Sequence, residues 1–298
     1  MALTDLIRKQ KKTASAHELI EKALREEVRE HLPMRPESWF RLSSVGGMCP
    51  RQEVLLAKHD IVRREGINPD LGMVFAIGHA LHWAMQNIVM AATGCIVGRW
   101  RCTWCGEVYG SMKEGLKPRP DICARCGAIA GEVPRANNRP DYTVRADAFL
   151  FVEEWVGDYE YMVGGHPDGY MVDGDPNNFK PEDVIVLEFK SCSENNFAKY
   201  KKAPDFMHVI QVQCYMWLTG FRRAKIIYVN KGKFGMEGIV EHDSAYDEET
   251  IVQVKRAIEQ VRSGLECGEL PPIEACADAN CPRARSCEVS KACFTTRQ

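Results

Sequence analysis

The chain has 298 residues, 45% of them apolar and 27% charged, with a formal net charge of −2. That length suits one large domain or two small ones with a full core, and the composition is that of an ordinary globular protein. No apolar run approaches the roughly 20 residues a membrane-crossing helix needs, and the near-neutral charge argues mildly against broad wrapping of a nucleic-acid backbone. The opening MALTDLIRKQKKT is charged and lacks a secretory apolar segment, so a cytoplasmic protein with no membrane partner is expected. Thirteen cysteines are many for a reducing compartment, where disulfides are rare. Metal sites or scattered buried thiols are the alternatives, and spacing decides between them.

In chain order, residues 4–32 are rich in helix formers and predict one or two amphipathic helices, closed by Pro33 and Pro36. Residues 50–62 predict a short helix. Residues 71–93 predict a long helix interrupted only by Gly78, and its near-total apolarity predicts burial. Composition shifts at 95–140 to cysteine, glycine, proline and arginine, which marks an insert. Strand-like segments follow at 142–155, 159–172 and 183–190, where VIVLEF has the apolar continuity of a buried strand. A helix is predicted over 205–219, strands over 224–230 and 237–241, and a charged amphipathic helix over 246–267. A Pro-Pro pair and a cysteine-rich tail end the chain.

Two features carry chemistry. On a strand, Glu188 and Lys190 project to one side while Phe189 enters the opposite layer. Taken alone, two charges at a strand end are more often a strand emerging into solvent. Upstream, GGHPDGY places Asp168 in a turn between strand-like stretches, from where antiparallel strands bring it beside Glu188. Two carboxylates and water suit Mg or Mn, which polarises a phosphate and acidifies a water, with Lys190 orienting that water or stabilising developing charge. The second feature is Cys102-x-x-Cys105 with Cys123-x-x-Cys126, two knuckles with the spacing of a zinc ribbon. The tail adds Cys276, Cys281, Cys287 and Cys293, in a segment with few apolar residues, where a staple is needed. Cys95, Cys192, Cys214 and Cys267 lack partners at ligand spacing and read as small buried residues.

Asp168 with Glu188-x-Lys190 resembles the PD-(D/E)XK nuclease pattern. Gly78 and His82 in GHALH, and Gln211 and Tyr215 in IQVQCYMW, narrow the resemblance to the RecB-like exonuclease branch. The cysteines make the chain similar to its iron–sulfur members, the CRISPR-associated iron–sulfur exonucleases among them. The resemblance spans roughly residues 43–293 apart from the insert. It implies an α/β fold, a restriction-endonuclease-like mixed β-sheet flanked by helices, with the zinc ribbon inserted. It implies that His82, Asp168, Glu188 and the Phe189 main chain hold metal, that Lys190 assists the water, and that Gln211 and Tyr215 stand beside the centre. It also implies a [4Fe–4S] cluster on Cys49 of MCPR with Cys276, Cys281 and Cys287. The tail spacing departs from the family's, so Cys293 stays an alternative ligand, and a second zinc on the four tail cysteines stays open.

The implied regions are an N-terminal helical part, 1–94, contributing Cys49 and the GHALH helix; the ribbon insert, 95–140; and the nuclease core with the cysteine cluster, 141–298. The implied activity is exonucleolytic hydrolysis of DNA ends, single-stranded or partly so, in recombination, repair or replication, in a phage or bacterium. Association with replication or recombination proteins, or self-assembly, would suit it. A structure-specific endonuclease and a non-catalytic DNA-end-binding subunit are the rival readings. Basic residues flank the site in sequence (Lys199, Lys201, Lys202, Arg222, Arg223, Lys225, Lys231, Lys233) and suggest a phosphate track, while Trp39, Phe40 and Tyr200 suggest base stacking. His79 is read as structural or as a DNA contact, and His166 lies near the site without an assigned role.

Overall fold

The computed structural model describes residues 28–31, 34–66, 69–131, 147–233 and 235–295. The helices expected over 4–32 therefore lie outside the described residues as far as 27. Residues 28–31 correct that expectation: they form strand β1 (Val28–His31), antiparallel to Arg63–Gly66. Pairing with a distant segment outweighs the local helical preference, which is a weak prior.

After β1 come β2 (Phe40–Arg41), α1 (Leu42–Val45), α2 (Pro50–Lys58) and β3 (Arg63–Gly66). The long helix α3 (Pro69–Ala84) runs into a π-helical turn over Met85–Val89 and a 3-10 turn over Ala91–Thr93. Four short strands follow: β4 (Ile96–Gly98), β5 (Trp100–Cys102), β6 (Val108–Tyr109) and β7 (Lys117–Pro118). Then come β8 (Phe149–Phe151), β9 (Val156–Asp158), β10 (Val163–Gly165), β11 (Gly169–Val172) and β12 (Val184–Cys192). Helices α4 (Glu194–Tyr200) and α5 (Phe206–Thr219), strands β13 (Arg223–Asn230) and β14 (Ile239–Ala245), and α6 (Glu248–Cys267) complete the core. The tail carries α7 (Pro282–Arg285) and α8 (Ser290–Thr295).

The central sheet has six strands in the order β14-β13-β12-β11-β4-β7. Only β12 and β13 run parallel within it; the other neighbours are antiparallel, so the sheet is mixed. The fold is accordingly mixed α/β, with helices against both faces. Along β12 the alternation of the strand sorts side chains into two layers. Val184 and Val186 join the layer under α5 and α6, whereas Ile185, Leu187 and Phe189 join a second layer with Met85, Trp100 and Phe149. Helix α5 starts with Asp205, whose carboxylate accepts from the Met207 amide, and ends at Gly220, which takes the left-handed conformation (φ 78°) that glycine adopts without strain.

The described part of the expected insert, 95–131, is hydrogen-bonded into this architecture. Strands β4 and β7 belong to the central sheet, and β5 pairs with both β6 and β8. Trp100 is fully buried, and its indole N–H donates to the Lys117 carbonyl.

Helix α3 departs from the expected burial. One side packs on β12, where Gly78 allows an approach so close that a methyl group there would meet the Ser191 hydroxyl at 3.1 Å. Its other side leaves Met73, Val74 and Ile77 exposed. A helix apolar all round has more apolar surface than a single supporting layer covers. Among the described residues, no helix is long and apolar enough to cross a membrane.

The tail is fastened to α2 by Arg51, which is 2% exposed. Its Nη1 donates to the Pro271 carbonyl at 2.8 Å and its Nη2 to the Cys293 carbonyl at 3.1 Å. Arg51→Ala is expected to destabilise the protein by about 3 kcal/mol, because two charge-assisted hydrogen bonds vanish and two carbonyls lose their donors. A fall in the denaturation midpoint checks this; an unchanged midpoint would show that the tail holds without it.

Candidate active site and thiol clusters

The turn before β11, the middle of β12, the last turn of α3 and the middle of α5 meet at one place. Asp168 sits where GGHPDGY enters β11, antiparallel to β12 in a register that pairs Gly169 with Leu187. That register puts Asp168 beside Glu188 and Phe189. The Phe189 amide donates to Asp168 Oδ2 at 2.6 Å, which fixes the carboxylate and leaves Oδ1 turned to His82. His82 Nδ1 lies 3.3 Å from that Oδ1. The imidazole pKa is raised: burial opposes the charged ring, but the Asp168 hydrogen bond and the Asp168 and Glu188 charges outweigh burial.

Glu188 is 2% exposed, and burial, helped by the Asp168 charge, pushes its carboxyl up to about 8. Its Oε1 meets Lys190 Nζ at 2.5 Å, while its Oε2 is buried without a hydrogen-bond partner among the described residues. Lys190 Nζ also donates to Gln211 Oε1 at 3.0 Å. Gln211 Nε2 reaches Tyr215 Oη at 3.2 Å, and that hydroxyl donates to the His166 carbonyl at 2.8 Å. Gln211 and Tyr215, one turn apart on α5, thus form a wall tied at one end to Lys190 and at the other to the loop bearing Asp168.

Two residues here were invisible to the sequence reading. Gln86 donates both to Glu153 Oε1 at 2.6 Å and to the Asp168 carbonyl at 2.8 Å. Its only signal is its position one turn after His82, within the π-helical turn, a feature frequent at functional sites. Glu153 had no signal at all. Phe189 gives the site its main-chain amide, and its ring, packed in the second layer, meets the His82 ring edge-on with centroids 6.3 Å apart.

His82, Asp168 and Glu188 are the candidate ligands of a divalent cation at this place. Glu188 lies within electrostatic reach of Asp168, pairs with Lys190 through Oε1 and has Oε2 left over. Hard oxygen donors with an imidazole beside them match Mg or Mn.

Cys102, Cys105, Cys123 and Cys126 offer four sulfurs all within 4.8 Å of one another. Cys102 Sγ lies 3.7 Å from Cys126 Sγ, and Cys105 Sγ lies 3.5 Å from Cys123 Sγ. A tetrahedral zinc, with Zn–S about 2.3 Å, holds its thiolates about 3.8 Å apart, so this four-cysteine metal-binding group has the right size for one ion. The Tyr109 hydroxyl donates to Cys123 Sγ at 3.2 Å and draws that thiol down to about 6. This partner, also missed from sequence, sits on the strand opposite the first knuckle.

The tail thiols gather around Cys49, at the start of α2. Burial, with Cys281 and Cys49 nearby, pushes the Cys276 thiol up to about 11. The Ala284 amide favours the thiolate of Cys281, whose pKa is lowered. Cys287 is raised by burial and lies within electrostatic reach of Cys49 and Cys293. Cys276 and Cys281 lie within side-chain hydrogen-bond reach of one another.

Tyr200 is not a free stacking surface: its ring lies on Tyr228 at 4.2 Å and is packed in the core. His79 is exposed on α3, so it is not a core histidine. Several of the basic residues are engaged. Arg223 pairs with Asp173, Lys225 with Glu241 and Asp243, and Lys233 with Glu237. Lys199, Lys201 and Lys202 stay exposed on and after α4.

No family model matches the chain, and no curated protein matches it. Among solved structures, the chain is similar to an alkaline exonuclease from Laribacter hongkongensis, at 12% identity and a TM-score of 0.41, covering 77% of this chain and 89% of that one. It is also similar to that exonuclease in complex with dAMP, at 11% identity and a TM-score of 0.40, with the same shares covered. A third similar structure is SSO0001, at 13% identity and a TM-score of 0.39, covering 96% of this chain and 99% of that one.

Proposed function

We propose that the chain is a metal-dependent deoxyribonuclease of the PD-(D/E)XK type that hydrolyses phosphodiester bonds at DNA ends. The observation that carries this reading is the buried Glu188 carboxylate, facing Asp168 and His82 with one oxygen unpartnered. Burial and the Asp168 charge disfavour the charged form of Glu188, and a cation beside the two acids would favour the carboxylate that a metal ligand needs.

In this reading His82, Asp168, Glu188 and the Phe189 main chain hold Mg or Mn. That ion supplies Lewis-acid polarisation of the phosphate and a more acidic water. The protein's own groups do the positioning. The Phe189 amide locks Asp168 in one orientation. Gln211 and Glu188 hold Lys190 Nζ as a fixed cation where negative charge develops on the phosphate, so no reorganisation is needed during reaction. Tyr215 ties Gln211 to the Asp168 loop.

Zinc on Cys102, Cys105, Cys123 and Cys126, and a [4Fe–4S] cluster on Cys49, Cys276, Cys281 and Cys287, belong to the same reading. Cys293, beside Cys287, is the alternative ligand. The regions 1–94, 95–140 and 141–298 then serve as helical lobe, ribbon and catalytic core with cluster.

Linear and circular single-stranded DNA incubated with Mg separate the outcomes. Loss of the linear strand with the circle intact is the expected result; cutting of the circle would instead make the chain an endonuclease. Absence of any cleavage, with DNA still bound, would leave a non-catalytic end binder. Protein purified anaerobically should be brown and hold about four irons and one zinc per chain. Two zincs and no iron would sink the cluster assignment while leaving the nuclease reading standing.

A further inference from the structure

Beside the carboxylates opens a cleft of about 770 Å³, lined among others by Trp39, Arg41, Ser43, Trp155, His166 and Tyr215. It shares two of its walls with the site above. Tyr215 carries the hydrogen bonds to Gln211 and to the His166 carbonyl, and His166 stands two residues before Asp168. Among the described residues no carboxylate lines it; Arg41 is its fixed charge, and His166 and the Tyr215 hydroxyl are its further ionisable groups. Arg41 is exposed.

The aromatic walls are built rather than incidental. Trp155 lies flat across the main chain of β9 and β10, over two glycines. A methyl group on Gly157 would fall 2.2 Å from its ring, and one on Gly164 would fall 2.5 Å from it. Trp39 meets Trp155 edge-on with centroids 5.1 Å apart, and Tyr159 closes the cluster against Trp39 at 5.2 Å. Despite this support the two tryptophans remain 37% and 41% exposed. Strand β2 holds the edge of the cleft by parallel pairing with β10, and the Phe40 amide donates to the Met162 carbonyl at 2.7 Å.

Large π faces, an arginine and the absence of any anion fit one kind of ligand, a planar aromatic group that carries negative charge. We infer that this cleft is a nucleobase subsite for single-stranded DNA. In it one unpaired base of the strand stacks against Trp39 or Trp155, and Arg41 meets the adjoining phosphate. The inference rests on the nuclease reading for its substrate. It adds that the strand enters unpaired, because a base stacked and paired inside a duplex presents no free face. A strand seated here passes from Arg41 over the His166 loop toward Asp168.

The test is binding in EDTA, so that cleavage plays no part. The probe is a single-stranded oligodeoxynucleotide with a fluorescent 2-aminopurine placed in turn at each of the nucleotides nearest one end. One position should be quenched on binding. Replacing that nucleotide with an abasic unit should weaken binding by about tenfold, the scale of one lost base–aromatic stack. Trp155→Ala and Trp39→Ala should each weaken binding of the intact strand by about that factor and be insensitive to the abasic replacement. Trp155→Phe should restore part of it, and Arg41→Ala, on an exposed side chain, should weaken both strands alike. Equal binding of intact and abasic strands by the unaltered protein, or full affinity in both tryptophan variants, would overturn the inference. Those results would leave metal-dependent cleavage untouched. Loss of cleavage in metal-site variants bears on the nuclease reading alone.

Discussion

Asp168→Asn is expected to lower metal-dependent DNA cleavage by about a thousandfold or more, roughly 4 kcal/mol of barrier, while the protein stays folded. Asparagine keeps an oxygen where the Phe189 amide donates at 2.6 Å, so the turn into β11 retains its anchor. What disappears is the charge. The place between His82, Asp168 and Glu188 then loses a hard anionic donor, and cation affinity falls with it. Asp168→Ala removes the oxygen as well and leaves a buried N–H without its acceptor, a further cost of about 1–3 kcal/mol. The pair separates chemistry from stability: asparagine should melt near the unaltered protein and alanine below it, with both inactive. Cleavage at the normal rate in Asp168→Ala would end the catalytic assignment.

Cys102→Ser is expected to have the largest structural effect. The apparent binding free energy of a structural zinc is on the order of 10–16 kcal/mol in small metal-folded units, and a closed four-thiolate site loses much of it with one ligand. Cys102 is 1% exposed and anchors its knuckle through main-chain bonds with Glu107 and Gly106. The variant should purify with one zinc fewer and be nicked by dilute protease between residues 102 and 131. The damage should also reach the site. Cys102 and Cys123 belong to the same buried layer as Trp100, Phe149 and Phe189, and Phe189 is the residue whose amide fixes Asp168. Cleavage by Cys102→Ser should therefore fall although no catalytic side chain has changed. An unaltered protein without zinc, or a variant as protease-resistant as the original, would rule this out.

How much of this was legible differs from element to element. The strand 184–192 and the helices 206–219 and 248–267 follow closely the segments expected from the sequence, because each is long and its apolar pattern is strong, a continuous run on the strand and helical spacing on the helices. The opposition of Glu188 and Lys190 to Phe189 is a property of the strand's two-residue repeat and needs no tertiary knowledge. The strand at 28–31 and the half-exposed side of α3 were misread, since a distant pairing partner and the number of covering layers are not encoded locally. Gln86 and Glu153 were missed for the same reason: one supports a main-chain carbonyl 82 residues away, and the other arrives from the connection between β8 and β9.

The sequence by itself determined which chemistry is present: carboxylates and a lysine at strand ends, paired cysteine knuckles, and a tail of thiols. These are properties of residue type and spacing, which the covalent chain fixes. Only the tertiary structure decided that Asp168 is oriented by the Phe189 amide, that Glu188 keeps a buried oxygen without a partner, and that Trp39 and Trp155 share one cleft with Arg41. Each of these joins residues far apart in the chain, and only packing sets the distance and the solvent exposure between such residues.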